Sequence, residues 1–392
     1  MGLEKLVKTS LKPERIILGL MSGTSLDGLD MALCKISGHG LQTKVQLIAF
    51  ETHPYNKDLK DSLQSVCFKK NVDLENLTLL NSFISDKHAE YILSFLKKNN
   101  IKPNAVDFLA SHGQTVFHSP KNSREKDRFN HATLQIGDGD MLAVKTGMIT
   151  LSDFRQKNVA EGKEGAPLAI YGDYLLFQNP NENRILLNIG GISNFTFIPA
   201  GAPFTEVTST DVGPGNTLMD QVCRKFFGKF FDEDANLARQ GKSSEKLLHQ
   251  LLTHPFFKAN FPKSTGPELF NLEMVNDAIM KAEIHNLSKE DLLATLNKFT
   301  AKAIADAITY YEAHQEHLTV YISGGGLHNP LLLQNLKEYL PQVKFLSLDT
   351  LNINPDAKEA ILFAILANET IYGDMKAFGP KALSMGKISL PY

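Results

Sequence analysis

The chain has 392 residues, 43% of them apolar, with 41 basic against 43 acidic side chains and a net charge of −2, the make-up of a soluble globular protein. Its length exceeds the roughly 250 to 300 residues at which single cores stop growing, which predicts two domains. No Lys/Arg block suits a nucleic acid or lipid surface, no apolar run approaches the ~18 residues of a membrane span, and Cys34, Cys67 and Cys223 form neither a disulfide framework nor a metal-ligand spacing.

The N-terminal MGLEKLVKT lacks the apolar stretch of a secretory signal, so a cytoplasmic location is expected. Residues 15–21 (RIILGLM), 29–36 and 44–51 then read as three strands, followed by helical periodicity over 56–70 and 73–98. Further strands are predicted at 106–111 and 148–151, with a short helix at 141–145 between them. The pattern restarts at 184–189 (RILLNI), with strands at 194–198 and 206–210 and a helix over 216–227. A mainly helical stretch leads to a strand at 318–323, a helix at 329–340, a strand at 343–348 and a helix at 357–367. Two halves that each open with three short strands predict an α/β fold made of a duplicated unit with a cleft between. The expected boundaries are residues 1–155, with 372–392 returning, for the first domain and 156–371 for the second.

Four glycine-containing turns directly follow predicted apolar strands. They are Gly23-Thr24-Ser25-Leu26-Asp27-Gly28, Gly190-Gly191 within Asn188–Asn194, Gly213-Pro214-Gly215-Asn216, and Gly324-Gly325-Gly326. Glycine lets the backbone approach phosphate oxygens and point successive N–H groups at them. Thr24 and Ser25 offer hydroxyls, and Asp27 is the candidate ligand for Mg²⁺. One such turn alone is an ordinary strand connection, but four across two halves point to a nucleotide. Neither a P-loop nor a dinucleotide fingerprint matches them.

Phosphoryl transfer asks for positioned phosphates, a metal and one group to deprotonate the acceptor. Asp211, at the end of an apolar strand, is the candidate base, with a helix cap or turn residue as the competing role. Ser111-His112-Gly113-Gln114-Thr115 has no nucleophile elbow around it, which disfavours a serine hydrolase, and His112 is as readily structural. Arg155 is a candidate contact for a carboxylate or phosphate. The histidines show no zinc-ligand spacing.

The segment Gly19-Leu20-Met21-Ser22-Gly23-Thr24-Ser25-Leu26-Asp27-Gly28-Leu29-Asp30 resembles the N-terminal signature of the anhydro-N-acetylmuramic acid kinases. Segments similar to that family continue in order through Ser111–Thr115, Asp153-Phe154-Arg155, Gly165-Ala166-Pro167-Leu168, Leu187–Gly191, Asp211–Asn216, Lys263-Ser264-Thr265-Gly266 and Gly324–Gly326. The resemblance implies two duplicated actin-like, ribonuclease H-like domains with an ATP cleft between them. It also implies a reaction in which water opens the 1,6-anhydro ring while O6 is phosphorylated, with ATP and Mg²⁺ required. The general base of that reaction matches Asp211. His112, Gln114, Thr115, Arg155 and Glu164 are the candidate sugar contacts, and a homodimer is a common expectation. Lys163-Glu164 stands where the family usually has Gly-Gln, which leaves a kinase of a neutral anhydrosugar as an alternative. An ordinary hydroxyl kinase and a silent nucleotide sensor are the further alternatives.

Overall fold

The structure, a computed structural model, describes residues 2–121, 128–266, 268–312, 317–374, 378–379 and 384–392. The chain divides into two compact units, Met1–Leu176 with Asp356–Tyr392, and Phe177–Pro355. Among the described residues no helix is long and apolar enough to cross a membrane.

In the first unit, strands β1 (Glu14–Ser22), β2 (Gly28–Ser37) and β3 (Lys44–Pro54) form an antiparallel meander. β4 (Phe108–Ser119) adds parallel to β1, β5 (Ala132–Ile136) pairs antiparallel with β4, and β6 (Thr150–Ser152) adds parallel on its other stretch. Ile17, Leu18 and Leu20 of β1 are all buried, because the strand has protein on both faces and so reads as a continuous apolar run. One face packs on the helices Lys57–Val66 and Leu74–Lys98 through Leu59, Leu63, Leu80, Ile84 and Phe95. Asn56 and Asp73 start those helices by accepting from the N–H groups of Leu59 and Asn76. The helix Lys358–Tyr372 packs closely on the same sheet: a Cβ at Gly19 would lie 1.9 Å from the Ala360 carbonyl oxygen.

The second unit repeats the plan. β7 (Asn183–Ile189), β8 (Ile192–Ile198) and β9 (Thr208–Pro214) are an antiparallel meander, and β10 (Leu318–Ser323) and β11 (Lys344–Ser347) add in parallel beside β7. Its core joins Ile185, Leu187, Phe195, Val320 and Ile322 to the helices Lys289–Glu312 and Pro330–Tyr339. The sheet orders are β3-β2-β1-β4-β6, with β12 (Lys387–Ser389) beyond, and β9-β8-β7-β10-β11. With the hairpin strand β5 set aside, the strands numbered within each unit run 3-2-1-4-5 in both, the duplicated ribonuclease H-like arrangement.

Three details differ from the expectation. β4 continues through His112–Thr115 to Ser119, because those polar side chains are buried in the sheet. The helix expected over 216–227 ends as Thr217–Val222 and passes into a wider π turn, Cys223–Phe227. The division falls at 176/177 and 355/356, not at 155/156 and 371/372. The helix Ala169–Phe177 lies almost wholly within the first unit, and Lys358–Tyr372 buries its apolar run against that unit's sheet.

Candidate functional site

In the first unit, the turn between β1 and β2 leaves Thr24, Ser25 and Asp27 exposed, with the Asp27 side chain at 75% relative exposure and Lys60 3.9 Å away. Gly23 has only Ser25 Oγ within 4 Å of where a Cβ would sit, so its backbone is open to a ligand. Leu26 and Gly28 play a different part. Leu26 adopts a positive φ of 58°, buries its side chain in the core and donates its N–H to the Gly23 carbonyl at 3.3 Å. A Cβ on Gly28 would meet the His53 carbonyl at 2.4 Å. Both shape the turn, Leu26 through its buried side chain and Gly28 through its close approach to β3.

Gln114 holds this turn from beneath. Its Nε2 donates to the Gly23 carbonyl at 3.1 Å and its Oε1 accepts from Ser22. Ser22 Oγ also meets the Tyr55 hydroxyl at 2.8 Å, which meets His88 Nε2 at 2.7 Å. Burial pushes the His88 pKa down to about 3 and the Tyr55 phenol up, so the chain of contacts is uncharged at neutral pH. Thr115, also buried, accepts from Gln135 at 3.2 Å.

His112 is buried, and its Nε2 faces Arg155 Nε at 3.2 Å and Nη2 at 2.9 Å, while Arg155 Nη1 donates to the Gly165 carbonyl at 2.8 Å. Burial, with the nearby Arg155 charge, lowers the His112 pKa to about 3, so the imidazole stays neutral and accepts. His112 thus backs Arg155 and Gln114 backs the turn, while Thr115 pairs with Gln135. Burial also lowers the Arg155 pKa, to about 10, against the opposing pull of Glu359. Glu164 is half-buried and close enough to His118 to oppose the lowering of its pKa by burial.

Glu359 is the residue the sequence analysis passed over. It keeps solvent-accessible surface, yet desolvation raises its pKa, as do Asp30 and Asp173, while Lys358 and Arg155 oppose the shift. In the sequence it looks like an ordinary acidic residue in the first turn of an apolar helix, and only its proximity to Arg155 marks it out.

In the second unit three loops converge. Gly215 and Thr217 donate to the Gly191 carbonyl at 2.8 and 3.1 Å, and Asn216 donates to the Gly190 carbonyl at 2.8 Å. A Cβ on Gly190 or Gly191 would find nothing nearer than 3.6 Å, and on Gly325 nothing nearer than the Asn216 amide at 3.4 Å. These three are open backbone that a phosphate can approach. Gly324 and Gly326 are glycines for packing: a Cβ would meet Asn188 Oδ1 at 2.6 Å in the first, at φ 82°, and Ile189 Cγ2 at 2.2 Å in the second.

Asp211 lies on β9 opposite Asn194 of β8 and is half-buried. Its N–H donates to the Lys263 carbonyl at 2.9 Å, and its Oδ2 accepts from the Thr265 N–H at 2.8 Å. Desolvation raises its pKa and the Thr265 hydrogen bond partly opposes this. It is not the cap of the helix that starts at Thr217, where Asn216 stands instead. A half-buried carboxylate with a raised pKa, held by one N–H, is a candidate proton acceptor. Among the described residues no cluster of three or more His, Cys, Asp or Glu offers an all-protein metal site.

The family model described as anhydro-N-acetylmuramic acid kinase matches residues 15–380. The chain is 49% identical over 397 residues to the anhydro-N-acetylmuramic acid kinase of Pseudoalteromonas atlantica, covering 99% of each chain. It is 46% identical over 394 residues to that of Pseudoalteromonas translucida, covering 99% of this chain and 98% of the other. A solved structure, the (R)-2-hydroxyglutaryl-CoA dehydratase component A of Acidaminococcus fermentans, aligns over 91% of this chain and 99% of that one at 13% identity and a TM-score of 0.43, too slight a likeness to bear on chemistry. The chain belongs to the anhydro-N-acetylmuramic acid kinase family.

Proposed function

We propose that this family member is an ATP-dependent kinase of 1,6-anhydro-N-acetylmuramic acid that forms N-acetylmuramic acid 6-phosphate and ADP in the recycling of cell-wall sugars. The observation that carries the proposal is the Asp211 carboxylate, positioned by Thr265 and raised in pKa by burial. Asp211 takes a proton from water as the water oxygen bonds to the anomeric carbon. The bond from that carbon to O6 breaks, and O6 attacks the γ-phosphorus as the bond to the β-phosphate oxygen breaks. Asp211 then returns its proton to solvent.

The open backbone of Gly23 in the first unit and of Gly190, Gly191 and Gly325 in the second suits the phosphates of ATP, since each lacks the side chain that would fill the space. The Thr24 and Ser25 hydroxyls are exposed donors beside Gly23. Mg²⁺ commonly binds through one or two carboxylates plus phosphate oxygens, and the exposed Asp27 would supply one such carboxylate; the ion would neutralise phosphate charge. Arg155 spends three of its five N–H groups on His112 and Gly165, which leaves donors for the lactyl carboxylate of the sugar. A cytoplasmic homodimer is the form in which the enzyme is expected to work.

Coupled ADP release with Mg-ATP tests this, comparing 1,6-anhydro-N-acetylmuramic acid with neutral 1,6-anhydroglucose. The acidic sugar is the expected substrate. A preference for the neutral one overturns the substrate, and no turnover of any sugar overturns the kinase.

A further inference from the structure

The chain after the short helix Pro255–Lys258 turns back along β9 and holds it at Asp211. Besides the two bonds to Asp211, the Lys263 N–H donates to Thr210 Oγ1 at 3.0 Å. The direction of the carboxylate thus depends on where residues 263–265 lie. The Thr265 hydroxyl does not fix them, since it is buried with no hydrogen-bond partner. The Lys263 side chain does. Its ammonium lies 4.4 Å from the ring centroids of both Phe256 and Phe261 and 5.7 Å from that of Phe257, and it donates to the Phe256 carbonyl at 3.0 Å. Rings attract a cation through their negative faces, most strongly where water is partly excluded. The cage also touches the strand itself: the Phe257 ring lies 3.2 Å from where a Cβ of Gly213 would be.

We propose that Lys263 is a positioning residue for Asp211: the aromatic cage anchors its ammonium, the anchored residue fixes Thr265, and the Thr265 N–H aims the carboxylate. The inference rests on Asp211 being the base. Lys263 acts through the chain and not through its charge, because burial and the Thr265 N–H are what act on the titration of Asp211. The neighbours on adjoining elements, Asn194 on β8 and Ala303 of the helix Lys289–Glu312 beside Gly213, carry no charge.

The test uses the full chain and steady-state ADP release across pH. Lys263→Met keeps the length of the side chain and removes the charge the rings attract; Lys263→Arg keeps the charge. Lys263→Met is expected to lower kcat by about 10- to 100-fold with KM for ATP within about twofold, the scale of a base misplaced by an ångström. It also moves the acid limb of kcat/KM to higher pH, since a carboxylate that loses an N–H partner binds its proton more tightly. Lys263→Arg restores most of both. Should Lys263→Met fail to fold, Phe261→Leu removes one ring and gives a smaller shift of the same sign. Wild-type kcat with an unmoved acid limb in whichever variant folds overturns the proposal. Asp211→Asn, measured alongside, separates the two claims: if it is active the base assignment itself falls, and if it is inactive while Lys263→Met behaves as wild type, only the positioning role does.

Discussion

The first hairpin turns of the two units occupy the same place in the same strand order, yet they are fastened differently. In the first unit, side chains hold the turn: Gln114 reaches the Gly23 carbonyl, and Ser22, Tyr55 and His88 continue the contacts into the core. In the second, backbone holds backbone, with N–H groups of residues 215–217 donating to the carbonyls of Gly190 and Gly191. Backbone fastening demands close approach, and a Cβ on Gly215 would lie 2.2 Å from the Gly190 oxygen. A turn held by side chains is free to carry hydroxyls and a carboxylate, as residues 24–27 do. The duplicated scaffold thus supports a metal-ligand candidate in one unit and the candidate base, Asp211, in the other.

The largest way to break this division of labour is Asp211→Asn, expected to lower kcat by about 10²- to 10⁴-fold, the usual contribution of a general base. The amide oxygen can still accept from Thr265, so thermal unfolding should hardly change. Gly191→Val fills open backbone; KM for ATP should rise about tenfold or more, equivalent to losing ~1.4 kcal/mol of phosphate binding. Gly326→Ala, by contrast, meets Ile189 at 2.2 Å and should destabilise the second unit by about 1–3 kcal/mol, read as a lowered Tm. Gln114→Leu strips the Gly23 carbonyl of its side-chain partner and Ser22 of one of its two, at about 1–3 kcal/mol of stability, and should raise KM for ATP severalfold by loosening the turn. The smallest effect is on pH dependence. The Asp211 pKa is raised, and the base must be ionised, so kcat/KM should fall on acidification at a pH above the ordinary Asp value of about 3.9. His112, held near 3, adds no limb in the neutral range.

The duplication was legible because β1, β7 and β10 are apolar runs that end in glycine turns. The ends of elements were not. β4 continues through polar residues whose hydrogen bonds only the folded sheet supplies, and β12, three residues long, has too little pattern to show. Asp211 stood out as a candidate from its place at the end of a predicted strand, whereas its hold by Thr265 joins residues 54 apart in sequence. Likewise, runs of glycine do not reveal which members face a ligand. Gly325 is open, while Gly324 and Gly326 are pressed against Asn188 and Ile189.

On the proposed function, Asp211 activates water for ring opening coupled to phosphorylation. Turnover of Mg-ATP and 1,6-anhydro-N-acetylmuramic acid in ¹⁸O-water, with mass analysis of the product and a control for spontaneous anomeric exchange, tests it most directly. The expected product is a 6-phosphosugar carrying one ¹⁸O at the anomeric position, formed by the wild type and lost in Asp211→Asn. A phosphosugar without the label, or label incorporation that survives in Asp211→Asn, would contradict it.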